Sequence, residues 1–190
     1  ISIQKNPMSD ALAWQAIRLI AEHLGAVIRK PHDRNLRLIL ANASSMAGAA
    51  FSNAMVGVVH SIGHAAGAIA GIPHGVAMAI LLPHGLRFNL PARRAILGEL
   101  LLPLSGARHV VDTHPDRWAE EAVRAVEDLL MDCHQQTGLA ITLKQAGVTR
   151  DQFSAIAELA INDGSVLMNP TEVGIPEALQ ILEAAYEGIA

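Results

Sequence analysis

The sequence has a single cysteine, Cys133, and very few aromatic residues, 3 % of the chain. One thiol excludes an internal disulfide framework and suits a reducing cytoplasm. With no CxxC motif and no basic neighbours, Cys133 reads as a small buried hydrophobe rather than a reactive group. Charge is also sparse: the net value is −4 and no run of like charge occurs. A nucleic-acid partner would need a basic stripe, so none is expected. Residues 1–8 include Lys5, Asn6 and Pro7 and never form the apolar core of a secretory signal. The longest apolar run, Ala65 to Leu82, is broken at Pro73 and His74 and punctuated by glycine, so it is expected in the core of a soluble domain and not in a membrane.

What the chain has in quantity is Ala, Leu, Ile, Val and Met, half of it being apolar. That composition favours helix, and strand signals are nearly absent. Ser9 reads as an N-cap for an amphipathic helix to about Arg29, and a second helix is expected from Asp33 to about Ala50. From Met46 to Leu82 there is almost no charge, and Gly48, Gly57, Gly63, Gly67, Gly71 and Gly75 make the segment small-sided. It reads as the bundle centre, broken into separate helices at Pro73 and Pro83. Further helices are expected over Ala92–Leu102, Arg117–Thr137 with Gly138 as C-cap, Thr149–Leu159 and Pro176–Gly188, with a polar loop from His109 to Asp116. The expectation is an all-α helical bundle forming one domain over 1–190.

Nine histidines are many for this length. His60, His64 and His74 lie in the most apolar segment, with His84 a little beyond. Neutral imidazole is a common ligand of divalent iron and zinc. His60 and His64, four apart, share one helix face. On one continuous helix His60 and His74 would stand roughly 21 Å apart. They can meet only if the chain folds back, and Gly71, Ile72 and Pro73 offer the break. Spacing alone therefore favours His60 with His64. His23, His32, His109, His114 and His134 lie among polar residues and read as surface positions.

The run Gly57-Val58-Val59-His60-Ser61-Ile62-Gly63-His64-Ala65-Ala66-Gly67-Ala68, followed by Ile72-Pro73-His74-Gly75-Val76-Ala77, resembles the histidine-rich signature of iron-containing (group III) alcohol dehydrogenases. Its flanks agree: Ala43 to Ala54 before it, and Leu81-Leu82-Pro83-His84 with Phe88-Asn89 after it. Asn6 to Leu12 and the final helix from Pro176 also match, so the resemblance spans the chain. It implies the helical C-terminal domain of that family, which is dehydroquinate synthase-like. It further implies that His60 and His74 bind the metal, against the choice made on spacing, and that His64 lines the active site as a candidate for proton relay. His84 is a possible lining residue.

In the same family two further ligands, an Asp and a His, precede the stretch matching Asn6 to Asp10, and a nucleotide-binding α/β half precedes them. This chain contains neither, so it reads as a fragment expected to be inactive alone. The implied cofactors are Fe(II), or zinc, and NAD or NADP. The implied partners are a small alcohol or its aldehyde and, weakly, a second copy in a homodimer. Two alternatives stand beside this: a metal-free relative such as a maleylacetate reductase, and a stand-alone helical module that binds metal or haem.

Overall fold

The computed structural model describes residues 1–188. Among them there is no strand, and eight α-helices account for most of the chain. These are α1 (Pro7–Arg29), α2 (Arg34–Ala54), α3 (Val58–Ala70), α4 (His74–Glu99), α5 (Leu101–Asp112), α6 (Trp118–Thr137), α7 (Phe153–Ile161) and α8 (Ile175–Glu187). Short 3-10 turns occupy Pro115–Arg117, Arg150–Gln152 and Gly164–Met168. The all-α expectation holds. The helices gather into two compact units, one built mainly from residues 3–55 and 93–138 and the other, among the described residues, from 56–92 and 139–188.

In the first unit α1 and α2 form an antiparallel hairpin, with Asn6 Nδ2 donating to the Asn53 carbonyl at its open end. The N-cap of α1 is Asn6 and not Ser9. Ser9 is the third helical residue and completes a reciprocal cap: its N–H donates to Asn6 Oδ1 and its hydroxyl accepts from the Asn6 N–H, both at 3.0 Å. Pro7 at the first helical position needs no N–H partner, which is why the helix starts ahead of the serine. By length and composition α1 is the one described helix able to cross a membrane. It carries an Arg18–Glu22 ion pair near its middle, however, and such a pair is costly in lipid.

Two other expectations fail locally. The polar stretch from His109 is not a loop at its start, because α5 continues to Asp112 and Pro115–Arg117 adds a 3-10 turn. Pro83 does not end a helix, and α4 runs through both Pro83 and Pro91 before its backbone breaks at Arg93 (φ −132°, ψ 25°). Proline inside a helix costs about 3 kcal/mol in lost bonding and steric conflict. Around Pro83 the fully buried Ile80 and Leu81 oppose that cost, each contributing about 1.5–3 kcal/mol by leaving water. Tertiary burial outweighs the local preference.

The second unit contains the site. Its core joins Val58, Ile62, Ala65 and Ala66 of α3 and Ala77, Ile80 and Leu81 of α4 with Leu143, Ile156, Ala160, Ile181 and Leu182 from the later chain. α3 and α4 are a second antiparallel hairpin. Gly71 closes α3 in the left-handed region at φ 71°, and α4 begins at His74, so Gly71 to Pro73 make the fold-back. Small residues set how closely the two helices approach. A Cβ on Gly85 of α4 would lie 2.4 Å from Val59 Cγ2, and one on Gly63 of α3 would lie 1.9 Å from Met78 Cε. Gly48 and Gly75, by contrast, face open space, so the glycine-rich stretch is not uniformly a packing surface.

Candidate functional site

The fold-back brings the histidines of the apolar segment together. Ring centroids are 5.7 Å apart for His60 and His64, 5.6 Å for His60 and His74, and 5.4 Å for His64 and His74. The first pair follows from one helical turn on α3. The other two exist only because α4 returns beside α3 with His74 as its first residue. His60 is half-buried, whereas His64 and His74 are exposed. All three rings thus form one cluster. His84 lies buried about three turns along α4. Of the five histidines expected at the surface, His32, His109 and His114 are exposed, and His23 and His134 are half-buried.

Electrostatics differ across the cluster. Burial first, and then the neighbouring His64 and His74, push the His60 pKa below the ordinary imidazole value, against a smaller opposing pull from Asp163. His60 is thereby kept neutral, with a lone pair available, which is the form a metal ligand requires. His64 Nδ1 lies 2.7 Å from Asp163 Oδ2. Burial of the Asp163 carboxyl opposes its ionisation. Donation from the Ser165 backbone and hydroxyl and from His64 outweighs that burial, and its pKa lies below the usual carboxylate range.

A second set of residues fixes the start of α3, one turn before His60. Gly57, the N-cap, has no side chain to offer. Asn169, at the end of the Gly164–Met168 turn, supplies the cap instead: its Oδ1 accepts from the Val58 N–H at 3.2 Å. Asn169 also forms a reciprocal amide pair with Asn89 of α4, with bonds of 3.1 and 2.9 Å, and donates to the Thr171 carbonyl at 2.8 Å. Both asparagines are buried. A Cβ on Gly57 would lie 2.9 Å from Asn169 Oδ1, so glycine there lets the amide approach the backbone. Neither Asp163 nor Asn169 was singled out in the sequence. Their only signals are the turn-forming run Asn162-Asp163-Gly164-Ser165 and the Asn169-Pro170 pair.

As a donor set, His60 and His74 fit a divalent transition metal: two adjacent imidazoles, one held neutral by its surroundings. The fit is partial. Among the described residues no group of three or more His, Cys, Asp or Glu side chains is arranged to hold an ion.

The fold and the cluster define an all-helical domain that brings three histidines together. The chain belongs to the Fe-containing alcohol dehydrogenase family, whose C-terminal region matches residues 1–186. It is 37 % identical over 189 residues to the 1,3-propanediol dehydrogenase of Klebsiella pneumoniae, a match covering 98 % of this chain and 46 % of that protein. Alcohol dehydrogenase 4 of Saccharomyces cerevisiae is 33 % identical over 189 residues, again 98 % of this chain and 46 % of the relative. The crystal structure of a 1,3-propanediol oxidoreductase superimposes with a TM-score of 0.90 at 35 % identity, covering 97 % of this chain and 47 % of that one. The chain spans about half the length of the relatives it matches.

Proposed function

We propose that this chain is the metal- and substrate-binding part of a nicotinamide-dependent alcohol dehydrogenase that interconverts a small alcohol and its aldehyde or ketone. The observation that carries this reading is the convergence of His60, His64 and His74 at ring separations of 5.4–5.7 Å, in a chain of this family. His60 and His74 would hold the metal, with Fe(II) first and zinc second, since imidazole suits both. When bound, the ion would lower the pKa of the alcohol oxygen, and NAD or NADP would take up the hydride.

The remaining work falls to this chain's own side chains. His60, held neutral, offers its lone pair without first losing a proton. His64, exposed beside the two other rings and 2.7 Å from Asp163, would carry the hydroxyl proton away from the substrate. The Asn169–Asn89 pair holds α3 in register with α4, and so holds His60 near His74. A homodimer and a cytoplasmic location belong to the same proposal, the latter because a lone half-buried thiol suits a reducing compartment.

The test is metal content by mass spectrometry after anaerobic expression of the complete reading frame, with the native sequence and with His74→Ala. About one equivalent of iron or zinc, lost in the variant, is expected. No metal in either protein would sink the metal-dependent reading and favour the metal-free reductases of the same fold.

A further inference from the structure

We infer that Asp163 is a positioning residue that fixes the tautomer of His64. Its carboxylate holds the ring proton on Nδ1, so that Nε2 carries the lone pair and is the ring's hydrogen-bond acceptor. The inference rests on the reading of His64 as the proton relay and names the atom that does the work.

Asp163 is 99 residues from His64 in sequence, yet its Oδ2 stands 2.7 Å from the ring Nδ1. Its other oxygen is already committed: Oδ1 accepts the Ser165 N–H at 2.7 Å and so caps the Gly164–Met168 turn. With both oxygens engaged, the carboxylate has little freedom to rotate. The far end of the same turn is also pinned, because Asn169 Oδ1 accepts from the Val58 N–H. One short turn therefore grips α3 at two places, its first residue and the residue that bears the relay imidazole. The carboxylate is located by both anchors.

An ionised carboxylate can only accept, so the Nδ1 facing it must donate. A neutral imidazole has one donor and one acceptor nitrogen, and fixing Nδ1–H leaves Nε2 as the acceptor. The His64 side chain is 43 % exposed, so without the carboxylate solvent would leave both tautomers open to it. A carboxylate in that position holds the ring in one tautomer and one orientation. His60 and His74 are the other titratable groups against the ring, and neither supplies a negative charge.

The test reads the ring nitrogens directly. Long-range proton–nitrogen correlation spectra of the 15N-labelled chain, treated with chelator at about pH 8.5, where imidazole is neutral, report which nitrogen carries the proton. His64→Gln assigns the signals. The native chain is expected to show Nδ1–H with an unprotonated Nε2. Asp163→Ser keeps an oxygen to cap the turn but removes the anion, and is expected to move His64 mostly to Nε2–H while the Val58 amide signal stays in place. Asp163→Asn, of the same shape, should raise the Nε2–H fraction several-fold. A native His64 in the Nε2–H form, or variants that leave Nδ1–H dominant, would overturn the inference. Because the readout needs neither turnover nor bound metal, a full-length protein that holds no metal would overturn the functional reading and leave the tautomer assignment standing.

Discussion

Replacing Asn169 with Ala removes one buried side chain from four hydrogen bonds: to the Val58 N–H, to both ends of the Asn89 amide and to the Thr171 carbonyl. A neutral hydrogen bond contributes about 0.5–1.5 kcal/mol net, and a buried group left without a partner costs about 1–3 kcal/mol. Asn89 Oδ1 loses its donor from Asn169, while Asn89 Nδ2 keeps the Gly85 carbonyl at 2.9 Å. Allowing for overlap between these contributions, the loss should be about 3–4 kcal/mol. At a denaturant dependence of about 2 kcal/mol per molar urea, the midpoint of the unit holding α3 should fall by about 1.5–2 M. Urea unfolding, with hydrogen exchange at the Val58 amide to report on that unit, is the assay. Asn162→Ala is the control, since its side chain makes only an exposed bond to the Glu158 carbonyl at 2.7 Å; it should stay within about 0.5 kcal/mol of native. A loss below about 1 kcal/mol for Asn169→Ala would refute the idea that this amide anchors the helix.

Gly85→Ala should destabilise by about 1–2 kcal/mol, because the new methyl meets the stiff Val59 side chain and overpacking exceeds the gain in helix propensity. Gly63→Ala meets the flexible end of Met78 and should cost at least about 1 kcal/mol less; thermal unfolding giving the reverse order would refute the packing argument. Met55, with φ 59° and ψ −176°, occupies a backbone region that glycine alone enters readily. Met55→Gly should therefore be stabilising by about 1 kcal/mol, the relief of strain exceeding the extra freedom of the unfolded chain; a destabilised variant in urea titration would refute that. Hydrogen bonds from Arg150 hold the exposed Glu183 carboxyl below its ordinary pKa. A depressed carboxylate pKa contributes stability above the unfolded value of 4.5, lost as pH falls through the lower folded value. Arg150→Ala should remove that part of the acid dependence, and an unchanged pH profile of stability would refute the linkage.

The helical class was legible because apolar residues recur at helical spacing and almost nothing alternates. The fold-back at Gly71 to Pro73 was legible from local chemistry, since a glycine free to turn left-handed with a proline two residues on is a strong local helix stop. Pro83 was not, because the burial of Ile80 and Leu81 depends on residues as distant as Ile156 and Leu182. The start of α1 was misplaced by three residues because Asn6 and Ser9 both can cap, and Pro7 decides between them only once the reciprocal bonds are seen. At the site, spacing grouped His60 with His64, and the family signature put His74 with His60. The structure brings all three rings together. Asp163 and Asn169 stayed hidden for a different reason: each lies about a hundred residues from its partner on α3, in a segment whose polar composition resembles any turn.

The α3–α4 hairpin also fixes an order of assembly. His60 and His74 belong to one contiguous hairpin closed by a three-residue connection, and contacts so local in sequence form early and fast during folding. The carboxylate that orders His64 arrives from 99 residues away and waits for long-range closure. On that ordering the two imidazoles would meet before the Asp163 carboxylate reaches His64. An ion captured at that stage would act as a staple on the hairpin, helping the fold to form before it takes part in any reaction.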